Sequence, residues 1–386
     1  MNFSRGLSFL QKFRKELIVL VISLWALYLR IHQLAHSEID GDALWQVGFI
    51  QGMSSFFELL KNLPKADHAG YLAGDFILIY PFFKIFGWNK WALAFPHLVI
   101  TFVGFYFLYL LAREHFKTTW AYVISFLIFS LNSNLISHSV EIRAYAVMPT
   151  LALMALYFSL KVFKKNVNMS LGEKFWVGLA FVLIIWFHLY GILMVFCAGV
   201  YALLAHCRDE RRRTVLWYAV KFFLCVLLIA MPLWCYSIFF AQTVNVKAMS
   251  IGREIQTFEY IPNPLMDSVG FARAIFGNLM GFKAVYLLGL KIKIKWLVNG
   301  ILLALLIPQK DRSKQLGFFL VMIVLPLQLL FLADLFNRYW FIQRQFVWVM
   351  AWYAFFLGWC WDSIITATVE WVKIKRQTLK KQPVTA

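Results

Sequence analysis

Apolar runs of about twenty residues, split by short polar segments, recur along the chain; a run of that length spans a bilayer as a helix. The pattern predicts an all-α polytopic membrane protein of about ten transmembrane helices, with interfacial helices in a large first outer loop. The first span is about Leu17–Leu34. Leu44–Leu63 is only mildly apolar, with Gln46, Gln51, Glu58 and Lys61 spread through it, and suits a helix lying in the interface. Tyr71–Phe86 is short and carries Asp75 and Lys84, so it reads as a second interfacial or re-entrant helix. Further spans follow at about Trp91–Leu111, Trp120–Ile136, Ala144–Val162 and Phe175–Phe187. A sixth returns by about Ala205, and a seventh runs over about Trp217–Phe240. A long outer loop, about Ala241–Lys283, separates these from spans at about Ile292–Ile307, Phe318–Leu335 and Phe346–Val369.

The charges orient this ladder. Arg5, Lys12, Arg14 and Lys15 precede the first span, and every second connection afterwards is rich in Lys or Arg. Those include REHFK after the second span, CRDERRR after the sixth, PQKDRSK after the eighth and KIKRQTLKK at the end. The positive-inside rule makes these ends, and both termini, cytoplasmic. Residues 1–386 then form one integral-membrane domain, with tails at 1–16 and 372–386 and outer loops at 35–90 and 241–283. The expected location is the plasma (inner) membrane, with the polar loops on the outer face. Lys291, Lys293 and Lys295 depart from the alternation, placing cations at the outer start of the eighth span, where they suit the interface or an anionic headgroup.

Composition agrees. The chain is 61% hydrophobic, 18% aromatic and 15% charged, with a mean hydropathy of +0.68, whereas soluble domains carry about 25% charged residues. The net charge of +19 lies mainly in the short connections, so it points to topology and not to nucleic acid. Five scattered cysteines form no CxxC and no His/Cys cluster, which argues against a disulfide framework or a zinc site. No small-residue cleavage site follows the basic N-terminus, so the first span reads as retained.

Acids are few, yet Glu38, Asp40 and Asp42 lie within five residues where the chain leaves the first span. His68, Asp75, Glu141, Arg143, His188, Arg253, Arg338 and Arg344 also fall in or beside outward connections. Ionisable groups at a bilayer are costly and mark function. Each also has a plain structural reading: helix caps for Asp40 and Asp42, a local ion pair for Glu141 and Arg143, a core imidazole for His188, lipid contacts for Arg338 and Arg344. Together they suit transfer of a phosphate-activated group. A carboxylate acts as general base on an acceptor hydroxyl, and arginines hold the departing phosphate.

At these residues the chain resembles family 39 of the glycosyltransferases, the polytopic C-type group of the protein O-mannosyltransferases and the lipid A aminoarabinose transferase. LRIHQLAHSEIDGDALW runs in register with the family's Leu-Arg-Leu-Tyr-Gln-Leu-Gly and Asp-Glu-Ala segments; Asp42 takes the family Asp and Ala43 the place of its Glu. His68-Ala69-Gly70-Tyr71-Leu72, Ile85-Phe86-Gly87, WALAFP from Trp91, Ser139 to Tyr145, His188 with Tyr190, and Arg338-Tyr339 follow in family order. The resemblance implies transfer of a monosaccharide from a polyprenyl-phosphate donor to a hydroxyl of a lipid, glycan or protein on the outer face, with inversion. Asp42 would be the base, with Asp40 its substitute. Arg143 and Arg338 would bind the phosphate, with Arg344 and Arg253 in support, and Glu141 would orient Arg143. His68, Glu141, Tyr145, His188 and Tyr339 would line the pocket, with Trp45 and Tyr71 stacking on a sugar. The carboxylates could take a divalent ion, although no spacing requires one, and no other cofactor is implied. The competing expectations are a flippase or transporter for a lipid-linked glycan, and a polysaccharide polymerase.

Overall fold

The computed structural model describes residues 13–39, 41–63, 69–165, 169–188, 190–207, 212–240, 285–287, 290–292, 312–329, 332 and 346–381. The fold is helical and polytopic. Helix α1 (Arg14–His36) leads into two short helices, α2 (Gly41–Gln51) and α3 (Phe56–Asn62), then α4 (Ala69–Phe86) and α5 (Lys90–His115). Next come α6 (Thr119–Leu131), α7 (Ser133–His138), a 3-10 turn (Ala144–Ala146), α8 (Met148–Lys165), α9 (Leu171–Phe187), α10 (Tyr190–His206) and α11 (Arg212–Phe240). Helix α12 (Arg312–Phe318) continues into a π-helical stretch (Phe319–Val324), and α13 (Val349–Lys381) closes the chain.

Local chemistry sets the boundaries. Asn89 caps α5 by accepting from the Trp91 and Ala92 amides at 3.0 and 3.2 Å. Ser170 and Glu173 form a capping box at the start of α9. The expected span at Trp120–Ile136 is two helices, because Asn132 breaks it. Its carboxamide accepts from the Leu135 amide at 3.0 Å and caps α7. The amphipathic run at Leu44–Leu63 also divides, with Ser55 capping α3 through the Glu58 amide at 3.1 Å.

A large apolar core joins α1, α5, α6 and α8–α13. Outside it, Leu17, Leu20, Val21, Leu24 and Tyr28 of α1, and Leu216, Val220, Leu224, Leu227 and Leu228 of α11, are exposed. Water would penalise such stripes, whereas lipid solvates them, and the protein is an integral membrane protein. Among the described residues three helices are long and apolar enough to cross a bilayer: Arg14–His36, Lys90–His115 and Arg213–Pro232.

One feature was not foreseen. Strands β1 (Val285–Leu287) and β2 (Leu290–Ile292) pair antiparallel, with Val285 opposite Ile292. Lys291 is therefore a strand residue rather than the start of a helix; alternating Leu, Lys and Ile has the period of a strand. The expected loop at 241–283 and the rest of the span to Ile307 lie outside the described residues.

Candidate active site

The segment after α1 has its own small core. Ala43, Val47 and Ile50 of α2 pack with Leu59 and Leu63, with Phe76, Ile79, Tyr80 and Phe83 of α4, and with Leu93 of α5. Ile142 and Ala144 belong to the same cluster. They flank Arg143, so α2 and the turn that carries this arginine share one small core. A cavity of about 140 Å³ opens at that junction, lined by Ser37, Glu38, Ile39, Ala43, Lys90 and Glu141 among others. Lys90 fixes its rim by donating to the Ser37 carbonyl at 2.8 Å.

The turn is tightly built. The Ser139 hydroxyl donates to the Ile136 carbonyl at 2.8 Å. His138 Nδ1 meets Glu141 Oε1 at 2.8 Å. Arg143 is 7% exposed, and its guanidinium stands 6.0 Å from the Tyr145 ring centre. The Tyr145 ring lies 6.2 Å from that of His188, in the short turn between α9 and α10. His188 Nδ1 accepts from the Tyr190 amide at 3.1 Å, which leaves the ring proton on Nε2. Burial pushes this imidazole well below its ordinary value, the Arg143 charge adds to the shift, and Asp75 opposes it. Glycines allow the close approaches here. A Cβ at Gly191 would fall 1.9 Å from the Ile184 carbonyl, and one at Gly74 would fall 2.4 Å from the Phe187 ring.

Beside this turn lies a cluster that sequence reasoning did not assemble. Asp75, His97 and Gln46 are all fully buried. Asp75 Oδ1 is 2.7 Å from His97 Nε2, and Asp75 Oδ2 accepts from the Gln46 amide. Asp75 stood out as an acid in an apolar segment, but His97 was passed over although it interrupts the run LAFPHLVITF, where a buried imidazole is itself a signal.

The other expected residues divide in two. Arg143, Glu141, Tyr145 and His188 come together at one turn, and Trp45 packs edge-on against Phe76 at 6.0 Å, 38% exposed. Asp40, His68, Arg253, Arg338, Tyr339 and Arg344 lie outside the described residues, as do the side chains of Asp42 and Tyr71, whose backbones belong to α2 and α4. Among the described residues no three His, Cys, Asp or Glu side chains gather as metal ligands.

Residues 75–236 match the family model described as dolichyl-phosphate-mannose-protein mannosyltransferase. The chain resembles that family. The matched region takes in Asp75, His97, the turn from Ser139 to Tyr145, and His188. Among solved structures the chain resembles ArnT from Cupriavidus metallidurans bound to undecaprenyl phosphate, with a TM-score of 0.50 and 14% identity. The likeness covers 89% of this chain and 60% of that one, so the chain spans under two thirds of the length of ArnT and shares its fold. None of the curated proteins matches it in sequence.

Proposed function

We propose that the protein is a membrane glycosyltransferase that moves a monosaccharide from a polyprenyl-phosphate donor to an acceptor hydroxyl at the outer face, with inversion. One observation carries the reading: the start of α2 and the Arg143 turn meet at one cavity, inside a fold shared with a protein bound to undecaprenyl phosphate. The mannosyltransferase family match over residues 75–236 supports the same class of chemistry.

In this mechanism Asp42 accepts the proton of the acceptor hydroxyl as its oxygen attacks the anomeric carbon; Asp40 serves if the register slips. The bond from that carbon to the phosphate oxygen breaks, and the lipid phosphate leaves. Arg143 and Arg338 hold the phosphate and stabilise its growing charge, with Arg344 and Arg253 beside them. Burial suits Arg143 to this work, because a guanidinium in a low-dielectric site acts strongly on an incoming anion. Neutral His188 offers Nε2–H to a sugar oxygen instead of a second positive charge. Tyr145, Tyr339, Glu141 and His68 line the pocket. In this reading the turn between α9 and α10 faces outward, and the exposed apolar faces leave room for the polyprenyl tail in the bilayer.

The test is product formation. Membranes containing the protein are incubated with a radiolabelled polyprenyl-phosphate sugar and a mixed acceptor fraction. Label in a new product, with release of the unlabelled lipid phosphate, is the expected result. Movement of intact donor between leaflets without cleavage would make the protein a transporter, and consumption of only diphosphate-linked glycans would make it a polymerase.

A further inference from the structure

A carboxylate, an imidazole and a carboxamide meet fully buried between α2, α4 and α5, and the mechanism above uses none of them. His97 Nδ1 lies 3.2 Å from the Leu93 carbonyl, which can only accept, so Nδ1 carries a proton. A second proton is shared between His97 Nε2 and Asp75 Oδ1 across 2.7 Å. The pair is neutral as a unit whichever partner holds that proton, which lets a carboxylate sit away from water. Its other oxygen is engaged by Gln46 of α2. Gln46 lies four residues, about one turn, after Asp42 in that helix.

The apolar neighbours of Gln46, Ala43, Val47 and Ile50, hold α2 against α4, but apolar contact is non-directional and tolerates sliding. A hydrogen bond to a buried carboxylate does not slide: a shift of α2 breaks it and strands a buried acceptor. The Gln46 Oε1 atom has no partner among the described residues, so the bond to Asp75 is what the buried amide supplies.

We propose that Asp75 is a positioning residue: through Gln46 it fixes α2 against the bundle, and with it the place of residue 42 relative to the Arg143 turn. The effect on rate rests on the transferase reading; the effect on helix position does not.

The experiment exchanges the two groups. Asp75→Leu removes the acceptor, Gln46→Leu removes the donor while leaving the Asp75–His97 pair whole, and Gln46→Glu sets two carboxylates face to face. The double variant Asp75→Asn with Gln46→Glu restores one amide and one carboxylate in exchanged places. Two readouts are taken on the full chain in lipid nanodiscs. One is the distance distribution between nitroxides at exposed Leu44 in α2 and Trp176 in α9, with the accessible cysteines replaced. The other is kcat and donor KM. The expected result is a broadened distribution in each single variant, with kcat lowered by up to about 10²-fold at nearly constant KM. The exchanged pair recovers both readouts together. Unchanged distributions in Asp75→Leu and Gln46→Leu, or an exchanged pair no better than Gln46→Glu, overturn the proposal. If wild type transfers no sugar while the distances respond as described, the transferase reading falls and the positioning role of Asp75 stands.

Discussion

Arg30 is a guanidinium buried with no carboxylate against it among the described residues. It donates instead to the carbonyls of Ala26, Ser130 and Phe129 at 3.1, 3.4 and 3.3 Å, and sits 5.5 Å from the Phe105 ring centre. Phe129 and Ser130 belong to the last turn of α6, whose carbonyls have no helical partners, so the cation answers both the orphan groups and the helix dipole. Arg30 also lines a small cavity with His138, Ser139 and Tyr145, which ties the end of α6 to the turn that carries Arg143. Arg30→Met should cost about 1–3 kcal/mol in denaturant unfolding, by leaving those carbonyls without a donor. Arg30→Lys should recover little, because an ammonium lacks the fork that spans three carbonyls. His188 makes a pH prediction. Its imidazole is held neutral in the folded protein, while an unfolded histidine protonates near pH 6.5. Its contribution to stability is full above that pH and is lost as pH falls through it, by about 1.4 kcal/mol per pH unit at most. His188→Asn keeps an acceptor for the Tyr190 amide and removes the titration. Its melting temperature should therefore fall less than that of wild type between pH 7 and pH 5. His188 could be picked out in the sequence because a histidine–tyrosine pair closed an apolar run. The Asp75–His97–Gln46 cluster could not, because nothing in a linear pattern brings together residues separated by 22 and 29 positions.

At the scale of elements, caps and close approaches decide where helices stop and meet. Asp362 of α13 accepts from the Lys117 and Thr118 amides at 2.9 and 2.6 Å and from the Thr118 hydroxyl at 2.7 Å, capping α6 from a distant helix. Asp362→Ala should cost about 1–2 kcal/mol and leave donor binding unchanged, as read by unfolding and by binding of the labelled lipid. Gly191 brings α10 within backbone contact of α9, and no side chain is there to move aside. Gly191→Ala should therefore separate the pair and displace His188, with transfer lost before the helical circular dichroism changes. Most helices were legible as apolar runs: α1, α5 and α9 begin and end within a few residues of expectation, and α10 ends one residue past Ala205. The breaks were harder to read. Asn132 looks like an ordinary polar residue in a long apolar run until its carboxamide is seen capping α7, and the β1–β2 hairpin was hidden in a segment apolar enough to suggest the start of a span.

At the scale of the molecule, a small core built on α2–α4 lies beside the large helical one, and Phe187 at the end of α9 packs against both. That arrangement explains why the chemistry was partly legible. Glu38 and Glu141 are both visible in the sequence, but nothing in a linear pattern shows that they line one cavity. The charge alternation predicts that a cysteine at Glu38, in a variant free of other accessible thiols, reacts with an impermeant maleimide from the outer face, and that Cys207 reacts only from the cytoplasmic face. In the proposed mechanism the carboxylate at residue 42 drives transfer while Arg143 holds the lipid phosphate. This is tested by single-turnover transfer from labelled polyprenyl-phosphate sugar, with donor binding measured in the same membranes, for wild type, Asp42→Asn and Arg143→Ala. The account predicts that Asp42→Asn binds donor normally and forms no product, while Arg143→Ala loses binding. Wild-type product formation by Asp42→Asn, or unchanged binding by Arg143→Ala, would contradict it.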